Sequence, residues 1–158
     1  MILCDTNILI EFYKGTPEIL ERLRYIGQSN LAVSAITEAE LYFGALNKSE
    51  LKMIRKHLAA IFRIPVDVAV SDQFLILMQT YSLSHKLGLP DALIAATALV
   101  HSMELYTLNT GDFQFIPTRR YSPGRLGWNG RHSYEIHLLR HPDYGKRGQI
   151  YFSNIGSG

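Results

Sequence analysis

MILCDTNILI, residues Met1 to Ile10, is the stretch whose reading decides the fold. An apolar run, Ile2-Leu3-Cys4, delivers one acid, Asp5, with the small polar residues Thr6 and Asn7 behind it, before apolar spacing resumes at Ile8, Leu9 and Ile10. A strand covered on both faces reads as an uninterrupted apolar run. This one hands a carboxylate to the rim of a sheet. Cys4, the single cysteine, lies inside that run and reads as a small buried hydrophobe; nothing here asks for an oxidising compartment.

Outward from this strand, LAVSA (31–35), RIPVDVAV (63–70) and LYTL (105–108) read as further strands. Helical segments lie between them. Thr16-Pro17-Glu18 reads as a capped helix start that Gly27 ends, with Ile19, Leu20, Leu23 and Ile26 on one face. Ser34 or Thr37 can cap a helix reaching to about Leu46, and a third helix spans about Ser49 to Phe62 on a stripe of Leu51, Ile54, Leu58, Ile61 and Phe62. Ser71 or Asp72 caps a fourth, with Phe74, Leu75, Leu77, Met78 and Tyr81 apolar. The alanine-rich helix from Asp91 to about Met103 is apolar on most faces and belongs at the centre. Met53, Met78 and Met103 fall in apolar stripes and read as core. Strands alternating with helices predict an α/β fold with a parallel sheet covered on both faces.

A chain of 158 residues, 47% apolar and 19% charged, is globular in composition and large enough to bury a core without disulfide or metal. Charge is unevenly placed. Through Ile116 there are 9 Lys+Arg against 12 Asp+Glu, a net of −3; from Pro117 there are 7 against 2, a net of +5. An acidic body carries a basic tail. No basic segment followed by a long apolar one opens the chain and no apolar run approaches ~20 residues, so no membrane span is expected and the expected location is cytoplasmic.

In a parallel sheet, ligands collect at the carboxyl ends of the strands. Asp5 and Asp112 lie at such ends, Glu40 in the first turns of the helix after the second strand, and Asp91 at the start of the most apolar helix. Each has an ordinary explanation alone: Asp5 a turn residue, Glu40 a solvated face or a capping partner of Thr37, Asp91 a helix-start acid, Asp112 turn chemistry in Asn-Thr-Gly-Asp. Together they would converge on one edge. Crowded carboxylates resist ionising, and a hard divalent cation, Mg²⁺ or Mn²⁺, removes the difficulty. Such a site points to phosphodiester hydrolysis by water.

CDTNILIEF (4–12), VSAITEAELYFGAL (33–46), LPDALIAATAL (89–99) and LYTLNTGDF (105–113) together resemble the PIN domain, and more closely its bacterial and archaeal VapC-type toxins. The resemblance covers 1–116 and leaves 117–158 as a basic extension. It implies a PIN-like α/β/α sandwich with a central parallel sheet. It further implies a Mg²⁺- or Mn²⁺-dependent endoribonuclease of a type II toxin-antitoxin pair, acting on transfer RNA or other structured RNA. The family's acidic quartet falls on Asp5, Glu40, Asp91 and Asp112, as catalytic and metal-binding residues. Its supporting polar residues fall on Thr6, Asn7, Thr107 and Asn109. By the same analogy the protein is a homodimer, and a small DNA-binding antitoxin, VapB-like, blocks the acidic groove.

The tail departs from that pattern, since such toxins usually end soon after the stretch matching Asp112-Phe113. Arg119, Arg120, Tyr121, Arg125, Trp128 and Arg131 could hold an RNA backbone and stack bases. The more ordinary reading is a hairpin with solvated arginines, with strands around Tyr134 to Leu138 and Ile150 to Phe152, that extends the sheet or a dimer interface. His57, His85, His101, His132, His137 and His141 lack an ordered ligand spacing and read as surface or satisfied polar positions. Three rivals remain in view. A PIN-domain ribonuclease could act in RNA processing without a toxin role, and a silent RNA-binding module could use the same fold. A haloacid-dehalogenase-like phosphatase would also begin with a strand-end acid, but it wants a second acid two residues on, where this chain has Asn7.

Overall fold

A computed structural model describes residues 1–120, and within them five short parallel strands form one sheet in the order β3-β2-β1-β4-β5. The strands are β1 (Ile2–Cys4), β2 (Leu31–Ser34), β3 (Phe62–Ile64), β4 (Glu104–Tyr106) and β5 (Arg119–Arg120). The helices are α1 (Thr6–Lys14), α2 (Pro17–Ile26), α3 (Ala35–Gly44), α4 (Lys48–Leu58), α5 (Val68–His85), α6 (Leu89–Val100) and α7 (Thr110–Phe113). β1 is the centre: Leu3 sits in register with Ala32 of β2 on one side and with Leu105 of β4 on the other. Because the chain builds outward from β1 in one direction and then in the other, the carboxyl end of β1 is the switch point where such sheets hold ligands.

Side chains alternate across each strand, so the sheet divides the core in two. Leu3, Ala32, Ile64 and Leu105 face one cluster with Val70, Leu77, Ile94 and Phe113 from α5, α6 and α7. Cys4, Leu31, Val33 and Tyr106 face the other, with Ile8, Leu9, Leu23, Leu41 and Ile54 from α1 to α4. The result is an α/β/α sandwich. Burial pushes the Cys4 thiol up to about 12, so the group behaves as the small hydrophobe its setting suggests. Among the described residues no helix is long and apolar enough to cross a membrane.

Several local readings change. RIPVDVAV is rich in β-branched residues, yet the strand stops at Ile64 before Pro65, and α5 begins at Val68. The cap is Asp67, not Ser71 or Asp72: its Oδ1 accepts the Val70 N–H at 2.9 Å, and the Ser71 hydroxyl donates to its carbonyl at 2.8 Å. A capping carboxylate outweighs the weak intrinsic strand preference of valine. α6 starts at Leu89, with Pro90 in its first turn, so Asp91 lies inside the helix and does not open it. Thr16 precedes α2, but its hydroxyl donates to Glu11 at 2.6 Å instead of capping. Of the expected core, Met53 and Leu75 are exposed because α4 and α5 each bury one face only, and Phe62, expected to end the third helix, instead opens β3 and is exposed there. Met103 is buried, and Met78 packs against the first cluster. The fourth strand ends at Tyr106, two residues before Leu108, and β5 extends the sheet with Arg119 in register with Glu104. The hairpin expected around Tyr134 to Leu138 and Ile150 to Phe152 lies outside the described residues, as do Tyr121, Arg125, Trp128 and Arg131.

Phe113 ends α7 fully buried in the cluster that holds Leu105 and Ile94. Phe113→Ala should therefore cost about 3–5 kcal/mol in stability, read as a lowered urea midpoint with an unchanged slope.

Candidate active site

The site begins where β1 stops. The Asp5 N–H still donates to the Tyr106 carbonyl at 2.9 Å, continuing the ladder one residue past the strand, and then the chain turns into α1. Asp5 is the N-cap of that helix, its Oδ1 accepting the Thr6 N–H at 2.7 Å. The apolar pattern of the sequence gives this helix no separate assignment, although Ile8, Leu9, Phe12 and Tyr13 have helical spacing behind a capping triplet. The cap explains how a carboxylate with 4% exposure is tolerated.

Its other oxygen is held from two directions. Asn7 Nδ2 donates to Asp5 Oδ2 at 2.6 Å, and the Thr107 hydroxyl, arriving from the end of β4, donates to the same oxygen at 2.6 Å. Thr107 Oγ1 in turn accepts from Asn7 Nδ2 at 3.2 Å and from the Asn109 N–H at 2.9 Å, so its one proton and both lone pairs are engaged. Asn7 Oδ1 accepts the Leu108 N–H at 3.1 Å, and the Asn109 side chain donates to Asp112. Thr6, Asn7, Thr107 and Asn109 thus form one network that ties β1 to β4. An acid at position 7, which the phosphatase reading needs, could not donate to Asp5.

Glu40 arrives from the opposite flank. Ser34 Oγ accepts the Thr37 N–H at 3.0 Å and caps α3, which sets Glu40 on a helix leading away from the sheet edge. The Thr6 hydroxyl donates to Glu40 Oε2, so Glu40 is partnered across the site and not with Thr37. Asp91 sits in the first turn of α6, beside Gly88, where an added Cβ would lie 3.5 Å from its Oδ2.

The four acids act on one another. Burial, and then the charges of Asp5, Asp112 and Glu40, push the Asp91 carboxyl up to about 7. Burial also raises Asp5, with a smaller push from Asp112, against the lowering effect of its Thr107, Thr6 and Asn7 hydrogen bonds. Glu40 is raised by burial and by Asp5, and lowered by its bond from Thr6. Among the described residues the ion pairs are Lys14 with Glu11 and Arg63 with Glu38, so no lysine or arginine neutralises the quartet. No group of three His, Cys, Asp or Glu among the described residues has the spacing to hold an ion as it stands. The chemistry of the set, oxygen donors only and an excess of negative charge, fits a hard divalent cation.

A family model of the PIN domain matches residues 2–116, from the first strand to just beyond α7. The chain belongs to the PIN domain family. It is of the VapC type: it is 34% identical over 116 residues to Ribonuclease VapC10 of Mycobacterium tuberculosis, covering 72% of this chain and 86% of that protein. Among solved structures, a toxin-antitoxin complex from Klebsiella pneumoniae superposes with a TM-score of 0.65 at 37% identity, over 74% of this chain and 93% of that one. FitAcB from Neisseria gonorrhoeae superposes with a TM-score of 0.66 at 28% identity, over 80% of this chain and 100% of that one.

The electrostatics of this PIN domain make a testable statement about pH. Asp91 titrates at about 7 in the folded chain, against ~3.9 when unfolded. A raised carboxyl means stability that is full below the unfolded value and lost as pH rises through the folded one. With chelator present, the melting temperature should fall between about pH 4 and about pH 7. Asp91→Asn should shrink that fall, and Mg²⁺ should reverse it in the parent protein. A melting temperature that rises with pH over this window would contradict the assignment.

Proposed function

We propose that this VapC-type PIN domain is the toxin of a type II toxin-antitoxin pair, an endoribonuclease that hydrolyses RNA phosphodiester bonds at the carboxyl edge of its sheet. Asp5, Glu40, Asp91 and Asp112 are its catalytic residues and would hold Mg²⁺ or Mn²⁺. The observation that carries this reading is the unneutralised repulsion centred on Asp91, among acids that arrive from four separate elements. A structural set of acids would be paired with cations or spread apart. These have no cationic partner and still act on one another at a switch point.

The protein's own residues have distinct tasks in this reading. Asp5 is the fixed ligand, since three donors hold its two oxygens. Thr6 links Asp5 to Glu40, its N–H on one and its hydroxyl on the other. Asn109 orients Asp112, and Thr107 keeps the loop after β4 against Asp5. Asp91 ionises near neutral pH in the cation-free chain and is the acid most responsive to an incoming positive charge. When bound, the divalent cation supplies Lewis-acid polarisation of a phosphoryl oxygen and lowers the pKa of an attacking water.

Structured RNA, transfer RNA first, is the substrate class we assign, which places the protein in the cytoplasm. We divide the chain into a nuclease domain at 1–116 and a basic extension at 117–158, and the extent of the family match supports that boundary. Homodimerisation is supported by exposed apolar side chains on α3 and α5, Phe43, Val68, Leu75 and Ile76. A small VapB-like DNA-binding antitoxin would cover the acidic edge, a role supported by the toxin-antitoxin complex among the solved relatives. A short open reading frame for such a protein beside this gene is the simplest check.

The decisive experiment incubates purified protein with a total tRNA pool in Mg²⁺ or Mn²⁺, with chelator as control. Cleavage should require the cation. Asp5→Asn and Asp91→Asn should each lower the rate by at least about a thousandfold, roughly 4 kcal/mol of barrier, at an unchanged fold by circular dichroism. Cleavage that persists in either variant, or in chelator, would sink the assignment.

A further inference from the structure

Away from the acidic edge, α4 concentrates positive charge on one side. Lys48, Lys52, Arg55 and Lys56 recur at intervals that place them on one helical face. With Leu51 they line a concavity of about 480 Å³. All four are exposed, and among the described residues none is ion-paired. They are also four of only 9 lysines and arginines in a body of net charge −3. The one acid on α4, Glu50, is occupied: its Oε2 accepts the Leu46 N–H at 2.7 Å, while Asn47 Oδ1 accepts the Glu50 N–H at 2.9 Å and caps the helix. A rigid, uncompensated row of cations costs repulsion energy, which an anionic ligand would relieve.

The row lies against the element that carries Glu40. α4 packs on α3, and burial and Glu38 raise the Tyr42 hydroxyl while Arg55 and Arg63 oppose the rise, so both guanidiniums stand near the Tyr42 hydroxyl, on the α3 face that carries Glu38. From Lys48 to Lys56 the helix rises ~12 Å. That length spans a few successive phosphates of one nucleic-acid strand.

We propose that the α4 face of Lys48, Lys52, Arg55 and Lys56 is a phosphate-backbone contact that holds RNA flanking the scissile bond. The contact is a matter of charge and position and carries no base specificity. It rests on the ribonuclease reading, so its test must separate the two.

The test uses the full chain with Asp5→Asn, which binds without cutting, and a fluorescein-labelled single-stranded RNA read by anisotropy over a salt series. Replacing Lys48, Lys52 and Lys56 together by Gln should weaken binding and flatten the log–log salt dependence by about 2, from ~0.7 per lost contact. Replacement of the same three by Arg should restore the slope. In the protein with Asp5 intact, the Gln triple should raise KM and leave kcat unchanged. A slope unchanged in the Gln triple, in a protein that still cuts RNA, overturns the α4 contact and leaves the nuclease standing. Equal losses in the Gln and Arg triples would assign the effect to packing and also overturn it. So would a Gln triple that weakens only the complex with an acidic polypeptide partner. If the parent neither cuts nor binds RNA, the nuclease reading falls and this one with it.

Discussion

A carboxylate buried at the end of the central strand is the constraint on which the rest of this structure depends. Asp5 is removed from solvent, shares its edge with other acids, Asp112 among them, and has no cationic partner, and each of these facts opposes ionisation. What offsets them is a set of donors: the Thr6 amide at the start of α1, the Asn7 side chain and the Thr107 hydroxyl. Two of those donors belong to the helix that follows β1, and one belongs to the end of β4, far along the chain. The pairing of β1 with β4 is therefore also the means by which Asp5 is held.

The two-sided core serves the same end. Three-residue strands contribute little alone, but alternation divides them between two apolar clusters, and β1 places Leu3 in one and Cys4 in the other. With both faces covered, the strand ends are the one place where polar groups can be brought together from several elements. α1, α3, α6 and α7 all start at or near that edge, and each carries or is capped by one acid of the quartet. Helix starts tolerate negative charge, which favours Asp5, Asp91 and Asp112, while Glu40, further along α3, is held by the Thr6 hydroxyl.

Charge organises the surface around this edge. The acids repel a polyanionic substrate as strongly as they attract a cation, so a nuclease of this design benefits from positive charge set to the side of the reaction centre. The unpaired cations of α4 supply it on the helix that packs against α3. The Tyr13 hydroxyl and His57 Nδ1, 2.8 Å apart, join α1 to the far end of that helix, and Phe12 stacks on the same imidazole. The helix is thus a fixed platform. Burial keeps His57 below its ordinary pKa, consistent with a satisfied structural histidine.

Much of this is legible in the amino-acid chain itself. The apolar run into Asp5, the apolar helix around Ala92 to Ala98 and the four ordered motifs determine the parallel α/β class and single out the acids, because periodicity and local motifs are written residue by residue. Boundaries are less legible: Val66 to Val70 look like strand until the Asp67 cap is seen to turn them into helix. Met53 and Leu75 look like core until one sees which helix faces have neighbours. Only the tertiary structure decides that Thr6 bonds Glu40, that Thr107 and Asn7 share one oxygen of Asp5, and that Arg55 borders α3. Those are contacts that local spacing does not specify, and most join residues far apart in sequence. Their existence depends on strand order and helix packing, which no local pattern encodes.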